Sequence, residues 1–362
     1  MAGSRQPGTF GRSARMTARA KWIGLIAAAM AVAGSLALVE LARSWPIWLA
    51  TWGRDARRAA EPSAQPNHFV VPLVRRSPAH VVVTGAAYAV GLASWRGPRA
   101  ASIDILLDTG ASLPLLTSDG ARALRPATAE RLKLELHGFA GHRVNVVPLG
   151  EDERLQLTLA ASTGAGPVIT PVWHALADAL HGAHVILPPT HLAPRNGAVL
   201  IDPGGSRFMV CESLESCLQG AGWTRLARKP CEANLELLAV DAAVDGHPAR
   251  LMLDTGGHTL LFSRFYTKAG LAARESSRRM GTLIGAGDTP IDAARVRGSY
   301  RLVLGVGTPV PCPVPELWVA PARERSGPVA CFPDGAIGLD VLGACEIVIS
   351  EASPRQGYLR CP

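Results

Sequence analysis

The sequence contains one unit written twice. Residues 87–112, AYAVGLASWRGPRAASIDILLDTGAS, align with 237–258, LLAVDAAVDGHPARLMLDTGGH; each reads as a strand, a glycine-bearing turn and a second strand running into Asp-Thr-Gly. Residues 136–159 then match 283–304 as a glycine-bearing hairpin leading to a strand. Residues 178–187 sit opposite 334–343, and 198–210 match 346–360 as two strands around a turn. Four landmarks in one order describe a duplicated lobe, about 81–210 and 232–362, joined by 211–231. One tripeptide arises easily by chance, but a series in register does not.

The texture from Val81 onward is short β-branched and leucine-rich runs broken by Gly and Pro, which predicts a mostly β architecture. Helical patterns are few: 118–132, 262–274 and the stretch WHALADALHG at 173–182.

Within each unit an acid is driven into an apolar run. Asp108 follows Ile105, Leu106 and Leu107, and Asp254 follows Leu251, Met252 and Leu253. A lone Asp-Thr-Gly is common turn chemistry. Two copies at the same point of a duplicated unit can meet across a pseudo-two-fold axis. Like charges in a partly dry site resist ionising together, so one proton is shared and the pair titrates as a unit. The ionised member can then take a proton from water while the protonated member polarises a peptide carbonyl, hydrolysis without a metal or a covalent intermediate. Gly110 and Gly256 let the backbone turn tightly beside the carboxylates, and Thr109 and Thr255 offer short hydroxyls for bonds across the lobe junction.

The formal charge of +8 raises the question of a polyanion partner. The first 21 residues carry five basic and no acidic side chains, and 40–80 carry six arginines against three acids. That accounts for the whole excess, so 81–362 is formally neutral and no nucleic-acid partner is expected. Between the basic stretches lies WIGLIAAAMAVAGSLALV, Trp22–Val39, without a charge. Eighteen residues at helical rise reach about 27 Å, enough to span a bilayer core. The reading is a basic tail over 1–21, a transmembrane helix over 22–42 bordered by Trp45, Trp48 and Trp52, and a stalk over 43–80 rich in Pro, Arg and Ala. The alternative is a signal sequence cleaved near Ala31–Ala33, which would make the protein secreted. Either way the lobes lie outside the cytoplasm, on the periplasmic or cell-surface side. Seven cysteines, all between 211 and 361 and without Cys-x-x-Cys spacing, suit up to three disulfides in an oxidising compartment.

The motifs LLDTGAS, LMLDTGG and GAIGLDVL together resemble those of retropepsin-like, pepsin-type aspartic proteases with both lobes in one chain, over about 81–362. That resemblance implies a mostly β, bilobal pepsin-like fold of duplicated retropepsin-like lobes, preceded here by the N-terminal transmembrane helix. It places the catalytic pair on Asp108 and Asp254 and the cross-lobe threonines on Thr109 and Thr255. The apolar-apolar-Gly element beneath the active-site loop falls on Ala336, Ile337 and Gly338. It implies a peptide or protein substrate, no cofactor and no metal, and a monomer, since both lobes share one chain. Flap candidates are 137–144 and 284–291. Two departures stand out. The first-lobe counterpart of GAIGLDVL is taken as ALHGAHVI, with His181 before Gly182. Ser112 fits the small polar preference after the tripeptide, whereas His258 is a large titratable substitute. The rival readings are a pseudoprotease that keeps the groove to bind peptides without cutting, and a structural envelope protein whose tripeptides only cap turns. No His-Glu-x-x-His, P-loop or Gly-x-Ser-x-Gly elbow is present, and the ten histidines lack metal-ligand spacing.

Overall fold

In the computed structural model the first strand, β1 (Phe69–Ser77), begins inside the segment the sequence assigned to the stalk. Its alternation is masked by Pro72 and the arginines, yet Phe69, Val71 and Leu73 are all buried. Residues 69–80 therefore belong to the first lobe and not to the expected stalk. The described residues are 69–90, 100–111, 114–124, 134–137, 143–148, 154–161, 164–165, 173–175, 183–226, 238–283, 290–305, 310–321, 333–351 and 356–362. Residues 22–42 lie outside them; among the described residues no helix is long and apolar enough to cross a membrane.

The first lobe continues with β2 (His80–Val90), β3 (Ala100–Leu107), β4 (Leu115–Leu116), a helix over Ser118–Leu124, β5 (Leu134–His137), β6 (Arg143–Pro148), β7 (Arg154–Ala161), β8 (Gly164–Ala165), β9 (Trp173–Ala175) and β10 (Val185–Leu187). Trp173–Ala175 is thus a strand where the sequence suggested a helix. Pairing with β4 and β6 outweighs the local helical propensity of this alanine-rich stretch. The lobe closes with β11 (Ala198–Asp202) and β12 (Arg207–Cys211).

The second lobe repeats this plan. β14 (Ala239–Val244) turns through Asp245 and Gly246, both at positive φ, into β15 (His247–Leu253), the two-residue hairpin loop that matches strand twist. Then follow β16 (Leu260–Phe262), a helix over Ser263–Lys268, β17 (Glu275–Leu283), β18 (Ile291–Leu304), β19 (Val310–Ala320), β20 (Gly335–Ile337), a helical turn over Leu339–Leu342, β21 (Glu346–Ser350) and β22 (Gly357–Arg360). Both flap candidates map to hairpins, β5–β6 and β17–β18, whose tips lie outside the described residues.

The equivalence shows in the registers. β3 runs parallel to β10, pairing Leu107 with Leu187, and β15 runs parallel to β20, pairing Leu253 with Ile337. β4 and β16 flank them antiparallel, and each has a further parallel neighbour, β9 and β19 respectively. The lobes join in a sheet ordered β13-β22-β21-β11-β12-β1, where β13 is Thr224–Leu226. Its central pair is β11 against β21, Val199 opposite Ile349 and Leu200 opposite Val348, one strand from each copy. The connection 211–231 is therefore more than a tether, because it gives β13 to the seam beside β22. Disulfides Cys211–Cys217 and Cys345–Cys361 pin the ends of this sheet, while Cys312 is a buried free thiol; Cys231 and Cys331 lie outside the described residues. Aliphatic side chains from both lobes, Val83, Ile105, Leu187, Val199, Ile337 and Ile349 among them, form one core around the seam.

Candidate active site

Strands β3 and β15 each end one residue before an aspartate. The Asp108 N–H donates to Leu187 O at 3.0 Å, and the Asp254 N–H donates to Ile337 O at 3.0 Å, so both chains leave their strands at the same point of the same motif. This corrects the first-lobe alignment. The counterpart of Ile337 is Leu187 rather than His181, and Pro188 stands where the second copy has Gly338. The sequence alignment slid by six residues because it anchored on Gly182, and the backbone pairing instead follows Val185-Ile186-Leu187. His181 and Gly182 lie outside the described residues, as does Ser112.

The next residues lock the two turns together. The Thr109 hydroxyl donates to Leu253 O at 2.8 Å and accepts the Thr255 N–H at 2.9 Å. Reciprocally, the Thr255 hydroxyl donates to Leu107 O at 2.8 Å and accepts the Thr109 N–H at 3.1 Å. All four bonds are buried, so each hydroxyl spends its donor and an acceptor on the opposite lobe.

This lock sets the carboxyl groups of Asp108 and Asp254 face to face, hydrogen-bonded to one another. Both side chains are half-buried. The site has no room for a further carbon: a Cβ on Gly110 would lie 2.8 Å from Asp254 Oδ1, and one on Gly256 would lie 2.4 Å from Asp108 Cγ. The two acids are not equivalent. Asp108 Oδ1 accepts N–H groups from Gly110 at 2.7 Å and Ala111 at 3.1 Å, whereas Asp254 Oδ1 accepts from Gly256 at 3.0 Å. Burial raises the Asp108 pKa, and the backbone donors hold it back. Burial also raises Asp254, and the adjacent Asp108 charge and hydrogen bond push it well above the ordinary carboxylate range. The two carboxyl groups therefore titrate as a pair that holds one proton between them, with Asp254 raised the further.

Ile337 and Gly338 adjoin this loop, Ile337 O accepting the Asp254 N–H and Gly338 packing against Gly257. Ile337 is fully buried, and the Gly338 N–H donates to Thr259 Oγ1 at 2.9 Å. Sequence reasoning missed Asp340. Its Oδ1 accepts the Thr259 N–H at 3.0 Å and the Thr259 hydroxyl at 2.6 Å, and its Oδ2 lies 3.3 Å from His258 Nδ1. The negative charge of Asp340 adds to the rise at Asp254. A signal was present, since Asp340 stands two residues beyond the Gly of GAIGLDVL. The first-lobe position is Thr190, whose buried hydroxyl has no partner among the described residues. The His258 ring lies 6.0 Å from that of His80 of the other lobe and 6.3 Å from that of Trp318. Among the described residues no three His, Cys, Asp or Glu side chains converge as a metal site requires.

No protein-family profile matches the chain, and no curated protein is similar to it. Among solved structures the chain is similar to the crystal structure of an aspartic proteinase from Irpex lacteus, at 14% identity and a TM-score of 0.46, covering 81% of this chain and 97% of that one.

Proposed function

We propose that this protein is an aspartic endopeptidase, tethered to a membrane by residues 22–42, that hydrolyses peptide bonds with a water held between Asp108 and Asp254. The observation that carries this reading is the facing pair of half-buried carboxyl groups, delivered by the same motif from each half of the chain and sharing a hydrogen bond. Ionised Asp108 takes a proton from the water as its oxygen attacks the carbonyl carbon, and Asp254 gives its proton to the carbonyl oxygen. The resulting gem-diol collapses as Asp108 passes the water's proton to the amide nitrogen, a gem-diol hydroxyl returns a proton to Asp254 and the C–N bond breaks. The substrate lies extended, with strand-like hydrogen bonds along the cleft.

The uncharged run Trp22–Val39 behind a basic tail supports the anchor, and the two disulfides support an oxidising, extracytoplasmic location. Resistance of the full chain to alkaline extraction would test the first, and protection of the lobes from a protease confined to the cytoplasmic side the second.

Peptide-library digestion by the wild type, Asp108→Asn and Asp254→Asn tests the chemistry. Fragments from the wild type alone are expected, with near-ultraviolet circular dichroism unchanged in the variants. A wild type that binds peptides and yields no fragments between pH 3 and 8 would make the groove a binding site without hydrolysis.

A further inference from the structure

One row of side chains crosses the whole second-lobe sheet in register. Met252 on β15 lies opposite Ala336 on β20, Ala336 opposite Leu260 on β16, and Leu260 opposite Trp318 on β19. Trp318 lies opposite Arg295 on β18, and Arg295 opposite Arg279 on β17. Paired residues project from the same side of a sheet, so these six share one face. The row begins two residues before Asp254 and ends on an edge strand. Along it burial falls away: Met252, Ala336 and Leu260 are buried, Trp318 is half-buried, and Arg295 and Arg279 are exposed. The Trp318 ring faces that of His258 at 6.3 Å, and a Cβ on Gly281 would meet its other edge at 3.0 Å, so the indole lies between the loop that follows Asp254 and the outer strands.

The outer end is cationic. Arg295 and Arg297 both bridge to Glu316. Arg279 has no ion pair among the described residues, so the described side chains leave this end with two positive charges in excess. The pairing of Arg279 with Arg295 also costs stability, because like charges directly opposite on adjacent strands repel. Edge-strand charge that deters aggregation is already supplied by Arg278, which is tied to Glu275 on the opposite face. Two arginines set against each other on the face that leads to the carboxyl pair need a different reason.

We propose that Arg279 and Arg295 are specificity-determining residues that receive an acidic side chain of an extended peptide lying across Trp318. The inference rests on the reading of Asp108 and Asp254 as a peptide-hydrolysing pair. Charge complementarity selects the occupant, and the shared sheet face leads back to the strand that delivers Asp254. Strands spaced about 4.8 Å apart put Arg295 roughly 19 Å and Arg279 roughly 24 Å from the Met252 column. Allowing about 10 Å for the combined reach of the two side chains, the acid falls about three to four residues from the cut bond at about 3.3 Å per residue.

The test uses the full chain in neutral detergent. Fluorescent decapeptides carrying Glu or Gln at each of those positions are titrated against an Asp108→Asn background, which keeps them intact. The expected result is about five- to tenfold tighter binding of one Glu peptide at low salt, shrinking as salt screens the contact. In Arg279→Gln/Arg295→Gln the Glu-to-Gln ratio falls toward one, and in Arg279→Glu a Lys peptide becomes the preferred ligand. Equal binding of Glu and Gln peptides to the unsubstituted face would overturn the proposal, as would a preference that survives the double substitution. Phosphatidylglycerol vesicles that bind through the same arginines and outcompete the peptide would assign the patch to a membrane surface instead. Wild-type cleavage without acidic enrichment would refute this inference and leave the proposed hydrolysis standing. A charge-dependent preference with no cleavage by the wild type would do the reverse.

Discussion

Thr109 and Thr255 exchange four buried hydrogen bonds across the lobe junction, each giving its hydroxyl to the strand that carries the other and accepting the other's amide. The carboxyl groups one residue earlier are thereby positioned by a reciprocal contact that neither lobe can make alone. Replacing Thr255 by Val keeps the shape but strands the Thr109 N–H and Leu107 O without partners. Each buried group left unpaired costs about 1–3 kcal/mol, so a loss of about 2–6 kcal/mol is expected. Thr255→Ser keeps the hydroxyl and should lose less than about 1.5 kcal/mol. Urea denaturation of the two variants checks the difference.

Gly110→Ala places a carbon within 2.8 Å of Asp254 Oδ1 and 3.1 Å of Asp108 Oδ1. The carboxyl groups must part to admit it. Peptide cleavage is expected to fall at least about a hundredfold, since a misplacement near 1 Å can cost that much. The variant should still fold. Single-turnover kinetics beside a thermal melt separates the two effects.

The raised pKa of Asp254 links stability to pH. Above the ordinary carboxylate value of 3.8 the folded chain still holds a proton that the unfolded chain releases. The stabilisation is complete below that value and is lost as pH rises through the folded pKa. Asp254→Asn removes this slope. Melting temperatures should therefore decline more steeply with rising pH above 3.8 for the wild type than for the variant.

Asp340 raises the Asp254 pKa through its charge. Asp340→Asn removes the charge and keeps an oxygen for the Thr259 N–H. The high-pH limb of the kcat/KM profile, set by proton loss from Asp254, is expected to move to lower pH. An unmoved limb would show that Asp340 acts on Thr259 and the loop alone.

Cys345–Cys361 closes a loop of sequence separation 16 at the end of the seam sheet. Replacing both cysteines by Ala is expected to cost about 3 kcal/mol in the chain-entropy account. Denaturation without reductant checks it, and the buried Cys312 should stay unreactive toward a thiol reagent until the lobe unfolds.

The sequence by itself determined the duplication, the mostly β class and the two Asp-Thr-Gly turns. These depend on local pattern: apolar runs of strand length, turn residues and an acid that follows them. It also picked out Ile337 and Gly338, because GAIGLDVL keeps its pattern. Tertiary structure alone decided the rest. The Leu187 register was hidden because parallel pairing is selected by backbone hydrogen bonds, and those do not depend on which residue resembles a glycine elsewhere. β1 and β13 looked like linker because short seam strands draw their stability from neighbours distant in the chain. Asp340 and the cross-sheet row from Met252 to Arg279 stayed invisible for the same reason. Their members come from separate stretches of sequence, and proximity between strands is created by folding.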